Sequence, residues 1–419
     1  MVNSVPAQGE SPFTVIVPMP PSYRGGTEEY AYRLVKGFSE VNPTVALSTT
    51  VRWNERAEML DTGTAVVERF PAHEVYERPL LLSPNARRQM WATIRRSRLV
   101  NLHMPFPFVE AHAVRLAHRS GIPVILTYHM DADLRSARNS LGAAWVTRLY
   151  QRRSAHPALE ECDMVVSNSL GYARASPILS AHLDRVHVIP KGVDPVRLGI
   201  GSYSGPARLP GSIPDYVKAV GCKRVLFVGR LVPYKGVTVL LDALAELRKR
   251  RSDVELLVAG RGPLLENLQA KAKSLGIGER VHFLGFVPDA DLGNLYRFAD
   301  VVVVPSTGSL ESTATVLEEA TACGAPIVGS DIPGAAESLP NDGIRGRLVA
   351  PGEVGPLVEA MDRMVSVSRP APPKTVRTWD DVVADYLDLF SKLGVTVDRA
   401  AKTGVSGAPG LVDIRSPAG

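Results

Sequence analysis

Short apolar runs rich in β-branched residues alternate with helix-length segments along the chain, and this alternation limits the folds open to it. Apolar runs without polar alternation are typical of strands that are buried on both faces of a parallel sheet. In the first half these runs are Thr14 to Pro18, Val45 to Thr49, Ala65 to Phe70, Leu99 to His103, Val124 to Tyr128, Met164 to Ser167 and Val186 to Ile189. An α/β fold with helices on both faces of the sheet is therefore expected.

The alternation begins again after residues 197–222, which are rich in Gly, Pro and Ser. Val225 to Gly229 is a new first strand, and the segment after it has apolar residues on one helical face, at Val237, Leu240, Leu241, Leu244 and Leu247. Further strands are expected at Val254 to Ala259, Val281 to Leu284, Val301 to Val304 and Ile327 to Gly329. We predict two Rossmann-like doubly wound domains, at residues 1–195 and 223–375, that face each other across a cleft. A linker is expected at 196–222, a helix at 376–395 and a disordered tail at 396–419.

The composition is that of an ordinary globular protein. Apolar residues make up 45% and charged residues 22% of the 419 positions, which excludes a wholly disordered, fibrous or membrane-embedded chain. The N-terminal segment has no basic or apolar region typical of a signal peptide, and no apolar stretch approaches the length of a membrane span. Cys162, Cys222 and Cys323 are odd in number and far apart, so free thiols in a reducing compartment, the cytoplasm, are expected.

Basic residues are concentrated in the first half of the chain. The net charge is +5, and residues 1–192 hold 22 basic against 17 acidic residues, so the whole excess lies there. No acidic residue occurs between Glu77 and Glu110, a stretch with six arginines. The acid-free stretch therefore carries a strong local positive charge.

A helix is expected within this stretch, at residues 85–97, and it contains Met90, Trp91 and Ile94. Arginines beside an aromatic residue suit a peripheral contact with an anionic membrane surface. The simpler interpretation is a helix whose apolar side packs on the sheet and whose arginines are solvated. The membrane hypothesis rests on Arg87, Arg88, Arg95, Arg96 and Arg98, and it would put the protein at the inner face of the membrane.

Ligands of open α/β sheets bind beyond the carboxyl ends of the strands, so the residues that follow each predicted strand are the candidates for a binding site. Arg230 and Lys235 follow the first strand of the second half, in GRLVPYKG. A fixed Arg and Lys at this place can hold a diphosphate, although a solvated basic loop fits the residue types equally well.

Two other loops of the second half could approach a ligand. Gly260 to Pro263, which includes Gly262, is a weak match to a dinucleotide fingerprint and is explained more simply by a tight strand-to-helix turn. The segment after Val304 runs through Glu311 to a helix for which Ser312 or Thr313 is a natural N-cap, and a helix N-terminus favours anions. Glu318 and Glu319 lie about two turns into that helix, and spacing alone does not choose between them.

Three features of the first half also lie at or just after the carboxyl ends of predicted strands. Gly25 and Gly26 follow the first strand and allow a phosphate or sugar to approach the backbone, although a tight turn would also require them. His129 follows the strand that ends at Tyr128, and His103 ends the neighbouring apolar run. A lone histidine is more often structural, but both lie at a strand edge that faces ligands.

These motifs together resemble the retaining glycosyltransferases of family 4, which have the GT-B fold. The resemblance covers residues 14 to about 393, and residues 305–337 are its most specific part. Thr313 and Ala314 depart from the Phe-Gly that is common in the family. The matching segments are GGTEEY (25–30), TYHMD (127–131), VIPKGVD (188–194), VGRLVPYKG (228–236), VAGRGPLLENL (258–268), RVHFLGFVP (280–288), PSTGSLESTATVLEEATACGAPIVGSDIPGAAE (305–337) and GRLVAPGE (346–353).

The resemblance implies a C-terminal helix that crosses back to the first domain, and it assigns residues to roles. Two glutamates eight positions apart, the second followed by Ala, match Glu311 near the transferred sugar and Glu319 at the ribose, which selects Glu319 over Glu318. It also implies that Arg230 and Lys235 hold the diphosphate and that His129 lies beside the donor sugar. The expected catalytic set is His129, Arg230, Lys235 and Glu311; the expected donor-binding set is Gly25, Gly26, Arg230, Lys235, Gly262, Ser312, Thr313, Ala314 and Glu319.

The implied reaction is retaining transfer of a hexosyl group from a UDP- or GDP-sugar to a hydroxyl of a glycan or lipid-linked acceptor. The implied mechanism is front-side attack without a protein nucleophile, with positive side chains instead of a metal and with no other cofactor; no nucleic-acid partner is expected. A non-hydrolysing sugar-nucleotide epimerase, which shares the fold, and a non-catalytic sugar-nucleotide-binding subunit are the alternatives. An NAD-dependent oxidoreductase is disfavoured because no complete GxGxxG follows either first strand.

Overall fold

The computed structural model describes residues 11–19, 26–50, 58–59, 65–75, 78–80, 84–131, 141–200, 209, 211, 213–218, 221–308, 315–339 and 342–397. The chain divides into two compact units. The first contains the described residues up to Pro190 together with residues 379–397, and the second contains the described residues of Lys191–Thr378.

The first unit is built on a sheet of eight described strands, and two further strands form a short hairpin. The strands are β1 (Phe13–Ile16), β2 (Thr44–Thr50), β3 (Glu58–Met59), β4 (Ala65–Pro71), β5 (His73–Val75), β6 (Arg78–Leu80), β7 (Leu99–Met104), β8 (Val124–Tyr128), β9 (Met164–Ser167) and β10 (Val186–Val188). The order in the sheet is β10-β9-β8-β7-β1-β2-β4-β3, and all strands are parallel except β3, which is antiparallel to β4. The hairpin is the antiparallel pair β5-β6, which follows β4 in the chain.

The helices of this unit cover both faces of the sheet, as buried apolar strands require. The helix expected at residues 85–97 is α2 (Pro84–Ile94), and the buried face of α1 (Gly26–Ser39) includes Tyr30, Leu34, Val35 and Phe38. The helices are α1 (Gly26–Ser39), α2 (Pro84–Ile94), α3 (Glu110–Arg119), α4 (Leu141–Tyr150), a π-helical turn (Gln151–Ala155), α5 (His156–Glu161), α6 (Leu170–Ala175) and a 3₁₀ segment (Leu179–Arg185).

The second unit has a sheet of six described parallel strands. They are β11 (Lys223–Val228), β12 (Val254–Ala259), β13 (Val281–Gly285), β14 (Val301–Val304), β15 (Ile327–Ser330) and β16 (Gly346–Val349). Their order in the sheet is β13-β12-β11-β14-β15-β16. The helices are α7 (Asp215–Lys218), α8 (Val237–Arg248), α9 (Leu265–Ser274), α10 (Asp289–Phe298), α11 (Thr315–Ala322), α12 (Pro333–Ser338) and α13 (Val354–Met364), with 3₁₀ turns at Pro233–Lys235 and Gly278–Arg280. The prediction of two Rossmann-like domains is confirmed.

The last helix, α14 (Trp379–Lys392), belongs to the first unit. Its apolar face, which includes Val383, Tyr386 and Phe390, joins the core formed by β1 and α1. A Cβ atom on Gly37 of α1 would lie 2.3 Å from Cγ2 of Val383, so the two helices are as close as a glycine allows. The expected return of the C-terminal helix to the first domain is therefore confirmed.

Candidate active site

The positively charged loop after β11 lies at the carboxyl edge of the second sheet. The neighbouring strands β12 and β14 end at the same edge, and their following loops flank it. The backbone N–H of Leu231 donates to the carbonyl oxygen of Arg261 at 2.9 Å, which ties the loop to the segment after β12. Arg230 is exposed and Lys235 is half-buried at the other end of the same short loop.

Two glycines of the segment after β12 are there for packing. A Cβ on Gly260 would lie 1.8 Å from the carbonyl oxygen of Gly229, and a Cβ on Gly262 would lie 2.4 Å from that of Leu231. No side chain fits at either position. The tight strand-to-helix turn considered in the sequence thus accounts for Gly262, whose place against Leu231 also puts it at the edge where a ligand would bind.

The loop after β14 is joined to the loop that carries Lys235. The backbone N–H of Thr307 donates to the carbonyl oxygen of Tyr234 at 2.8 Å. Gly236 has φ +70°, and a Cβ there would lie 1.8 Å from the carbonyl oxygen of Pro305. This contact needs a glycine for both its backbone conformation and its space. Lys235 and the start of the segment 305–308 are therefore held side by side.

Glu319 and Glu318 point to different surroundings on α11. The hydroxyl of Tyr296 donates to Oε2 of Glu319 at 2.8 Å, and Nη2 of Arg197 lies 3.7 Å from Oε1. Glu318 instead accepts a hydrogen bond from Ser338 Oγ at 3.1 Å, and burial raises its pKa. Adjacent helical positions are about 100° apart, so only one of the two glutamates can face a given ligand.

In the first unit His129 is held by three elements. It follows β8, and its backbone N–H donates to the carbonyl oxygen of Met104 at 3.2 Å. Its Nε2 lies 2.8 Å from Nδ1 of His103 on β7, and the Tyr30 ring from α1 packs against it at an interplanar angle of 75° with centroids 5.1 Å apart. His103 is fully buried, and this burial lowers its pKa to about 3.

A buried polar network continues beneath this pair to the C-terminal helix. Thr127 Oγ1 lies 2.9 Å from the Tyr386 hydroxyl, and Tyr30 donates to the same hydroxyl at 3.3 Å. Asn101 donates its amide to Thr127 at 2.9 Å. Sequence reasoning missed this link, since only the amphipathic spacing of the last helix was visible. The network shows that α14 supports the tyrosine that packs on His129.

Asp131, the last residue of the segment TYHMD, serves as an anchor. Its carboxylate accepts hydrogen bonds from the hydroxyls of Tyr128 at 2.7 Å, Tyr172 at 3.0 Å and Ser176 at 2.7 Å. Its backbone N–H donates to the Tyr172 hydroxyl at 2.7 Å. These bonds fix the backbone immediately after His129.

Five predicted site residues lie outside the described part of the chain: Gly25, Glu311, Ser312, Thr313 and Ala314. Gly26 is described as the first residue of α1, and a Cβ there would meet nothing within 4 Å. The remaining predicted residues form two groups, one in each unit. Arg230, Lys235, Gly262 and Glu319 belong to the second unit, and Gly26 and His129 to the first.

The apolar residues of α2 face the core, as the simpler interpretation expected. Met90 and Ile94 are fully buried, and Trp91 packs against His112 with ring centroids 4.6 Å apart. Met90 and Ile94 are therefore not available to a membrane, and Trp91 is half-buried. Arg88, Arg95 and Arg96 are exposed; Arg87 is half-buried, and the exposed Arg98 donates to Thr396 Oγ1 at 2.7 Å. Among the helices described, none is long and apolar enough to cross a membrane.

The three cysteines, all within described segments, are free thiols, as the sequence led us to expect. Burial raises the pKa of Cys162 and that of Cys323 to about 12. At neutral pH these two thiols are protonated and unreactive.

Several curated relatives are glycosyltransferases. D-rhamnosyltransferase WbpZ of Pseudomonas aeruginosa is 29% identical over 263 residues, which are 63% of this chain and 63% of that protein. O-antigen chain mannosyltransferase C of Escherichia coli is 27% identical over 64% of this chain and 65% of its own length. D-inositol 3-phosphate glycosyltransferase of Mycobacterium sp. strain JLS is 32% identical over 59% and 55%, respectively. The matched region is less than two thirds of each relative.

Solved structures and family models agree with the architecture described above. Anabaena Alr3699/HepE in complex with UDP has a TM-score of 0.66 at 19% identity and covers 91% of this chain and 100% of that one. Sucrose-phosphate synthase from Thermosynechococcus elongatus has a TM-score of 0.62 at 18% identity, covering 92% and 99%. The family model Glycosyltransferase Family 4 matches residues 24–197, and Glycosyl transferases group 1 matches residues 213–374. With these two domains in this order, the chain belongs to the glycosyltransferases of the GT-B fold.

Proposed function

We propose that this protein is a retaining, metal-independent hexosyltransferase that uses a UDP- or GDP-sugar and a hydroxyl acceptor. One observation carries the proposal: the loop with Arg230 and Lys235 is bonded to the loop after β14 at the carboxyl edge of a glycosyltransferase domain. Two relatives are named as a rhamnosyl- and a mannosyltransferase, which supports a hexosyl donor.

The second unit would bind the nucleotide. Arg230 offers a planar fork and Lys235 a compact charge, and both would bind the diphosphate oxygens. Glu319 would accept hydrogen bonds from the ribose hydroxyls. Gly262 would let the backbone approach the ligand closely. Glu311 would contact the transferred sugar, and Ser312, Thr313 and Ala314 would offer backbone N–H groups at the N-terminus of the helix that continues as α11.

The first unit would bind the acceptor and one side of the donor sugar. The open space at Gly26 supports this role, since the packing of the described residues does not require a glycine there. Gly25 would act with it. His129 would hydrogen-bond a hydroxyl of the donor sugar, and its fixed position on β8, β7 and α1 supports a precise contact.

The reaction would proceed by attack on the same face of the anomeric carbon that the diphosphate leaves. The bond from that carbon to the diphosphate oxygen breaks as its bond to the acceptor oxygen forms, and the acceptor proton passes to the leaving phosphate. The protein contributes orientation and charge stabilisation of the departing diphosphate. No side chain is needed as a nucleophile.

Metal independence follows from the same charges. Arg230 and Lys235 would neutralise the diphosphate, the task that a divalent cation performs elsewhere. Within the described ranges, no group of three or more His, Cys, Asp or Glu side chains could hold a metal ion. Turnover is expected to be unchanged after dialysis against EDTA. Loss of activity that Mg²⁺ or Mn²⁺ restores would contradict this part of the proposal.

The diphosphate assignment is tested by Arg230→Ala and Lys235→Ala. Each is expected to lower kcat/KM about 100-fold or more, because a preorganised charge on the leaving group is lost. Lys249→Ala and Arg250→Ala are matched controls: both remove an exposed cation of the same unit, at or just beyond the far end of α8, and should keep full turnover. Near-normal turnover of both site variants would overturn the assignment.

Analysis of the products formed from the nucleotide sugar separates a transferase from an epimerase and from a non-catalytic subunit. A transferase is expected to release free hexose slowly from the donor without acceptor and to form a glycoside with it. An epimerase would instead interconvert two nucleotide sugars, and a non-catalytic subunit would bind the donor without turnover.

For the acceptor we propose a glycan or a lipid-linked glycan, reached at the inner face of the membrane through α2. The support is the exposure of Arg88, Arg95 and Arg96 on one acid-free segment; Arg87 and Arg98 would add to the charge. With Met90 and Ile94 buried, the contact would be electrostatic, at about 1 kcal/mol for each basic group near an anionic surface.

The test is sedimentation of the full chain with vesicles that contain acidic lipid. Wild type is expected to pellet at low salt and to be released at high salt. Changing Arg88, Arg95 and Arg96 to Gln should abolish pelleting. Changing Arg148, Arg152 and Arg153, exposed arginines of α4 and the π-turn, removes the same charge elsewhere in the unit and should not. Equal loss in both variants would show that net charge, not α2, is responsible.

A further inference from the structure

We propose that His103 is a positioning residue that fixes the tautomer and the ring orientation of His129, so that Nδ1 of His129 carries the proton offered to the donor sugar. The inference rests on the proposed contact between His129 and that sugar. It concerns a second histidine whose side chain is fully buried behind the first.

The contact between the two rings is a directed hydrogen bond. Nδ1 of His103 and Nε2 of His129 are 2.8 Å apart, the ring planes differ by 17°, and the centroids are 5.0 Å apart. The distance between the centroids is close to the sum of the nitrogen–nitrogen distance and two ring radii. The rings therefore lie nearly in one plane, end to end, with the shared proton near the line between the nitrogens.

The strand register explains why the two side chains meet. β7 and β8 are parallel neighbours, and His103 is aligned with Thr127. His129 lies two residues beyond Thr127, so its side chain is on the same face of the sheet as that of His103. Tyr30 covers both rings from α1, at centroid distances of 6.0 Å and 5.1 Å. Both histidines are thus held on one side of the sheet edge.

The direction of the bond follows from what surrounds His103. Its burial makes it a neutral imidazole, which has one N–H and one bare nitrogen. Nε2 of His103 has no hydrogen-bond partner among the described residues. If His129 were the donor, the N–H of His103 would be at Nε2, and a buried N–H without an acceptor is rare in folded proteins. His103 therefore donates from Nδ1.

This hydrogen bond determines which tautomer His129 adopts. Nε2 of His129 accepts the bond from His103, so the ring proton of His129 is on Nδ1. The tautomer most abundant for free histidine in water has its proton on Nε2, so the contact selects the less common form. His103 never touches the ligand in this account; it determines which nitrogen of His129 is the donor.

The first test is independent of activity. The full chain is labelled with ¹⁵N-histidine, and the His129 signals are assigned from their loss in His129→Gln. In wild type the Nδ1 of His129 is expected to be protonated and Nε2 bare. In His103→Leu the His129 population should shift toward protonated Nε2. A protonated Nε2 in wild type, or no change in His103→Leu, would overturn the proposal even if transferase activity is established.

The second test separates positioning from packing. The amide nitrogen of Asn can replace Nδ1 of His103 as a donor, so His103→Asn should keep most of kcat, whereas His103→Leu should lose about 10- to 100-fold. His182→Leu is the matched control, since His182 is in a second histidine pair, 3.2 Å from His156; it should keep wild-type turnover. Equal loss in the Asn and Leu variants would mean that His103 only packs. If the Leu variant fails to fold, the wild-type tautomer and the Asn variant still decide the proposal.

Discussion

The hydroxyl of Tyr296 donates a hydrogen bond to Oε2 of Glu319 at 2.8 Å, and this bond fixes the carboxylate proposed to bind the ribose. Burial and the charge of Glu319 raise the pKa of Tyr296 well above its ordinary value, so the hydroxyl remains a donor at any physiological pH. The glutamate is thus oriented from a residue of α10 that lies in the core.

Replacing Tyr296 by Phe removes this bond and keeps the ring. The Glu319 carboxylate is then less well oriented, so the KM for the donor should rise about 3- to 10-fold, which is the net contribution of one ordinary hydrogen bond, while kcat changes little. Tyr150→Phe is the matched control, because it removes a buried hydroxyl from another glutamate, Glu110, outside the site. Steady-state kinetics measure the KM for the donor and kcat of both variants. An unchanged KM in Tyr296→Phe would contradict the orienting role.

Glu110 predicts a pH dependence of stability in the first unit. It is fully buried, and this burial raises its pKa above the ordinary value. A raised folded pKa means that the stabilisation by the neutral form is complete below the unfolded pKa and is lost as the pH rises through the folded one. The Tm of wild type should therefore fall relative to that of Glu110→Gln between pH 4 and pH 8.

The Glu110→Gln side chain can keep the existing contacts. Its oxygen can accept from Phe106 N–H and the Tyr150 hydroxyl, and its amide can donate to Ser154 Oγ. Glu110→Ala leaves those donors unpaired and should cost about 2–4 kcal/mol. Glu161→Gln, which alters an exposed pair with Arg115, should change the stability by less than about 1 kcal/mol. A pH-independent Tm difference between wild type and Glu110→Gln would contradict the prediction.

The contact between α1 and α14 predicts a strict size limit at Gly37. A methyl group there would overlap Val383, so Gly37→Ala should destabilise the first unit by about 1–3 kcal/mol. Gly355→Ala in α13, where a Cβ meets nothing within 4 Å, should be neutral or stabilising by up to about 1 kcal/mol. Thermal unfolding of the two variants measures the difference between their Tm values. Equal Tm values would show that the contact of α14 with α1 does not limit the size of residue 37.

The layout of strands and helices could be predicted because buried parallel strands are short apolar runs. Val124–Tyr128 and Val254–Ala259 match the predicted bounds, and the apolar face of α8 is buried as expected. The strand Gly346–Val349 was missed, because GRLV contains a glycine and an arginine and lacks a continuous apolar run. It forms only because it adds to the edge of β15.

The candidate site was predictable where chain position decides it and not where side chains meet across the fold. Arg230 and Lys235 follow a strand directly, so their place at the sheet edge could be inferred. The His103–His129 bond depends on the register of β7 and β8, which no local pattern specifies. The burial of Glu110 was likewise invisible, since glutamates are usually exposed and its donors come from residues 106, 150 and 154.

The most direct test of the proposed retaining transfer is ¹H NMR of the products formed from UDP- and GDP-hexoses by the full chain. One donor is expected to be consumed without added metal, and the transferred sugar, or the hexose first released without acceptor, should keep the anomeric configuration of the donor. Inverted configuration, or no consumption of any of these donors with a range of glycan acceptors, would contradict it.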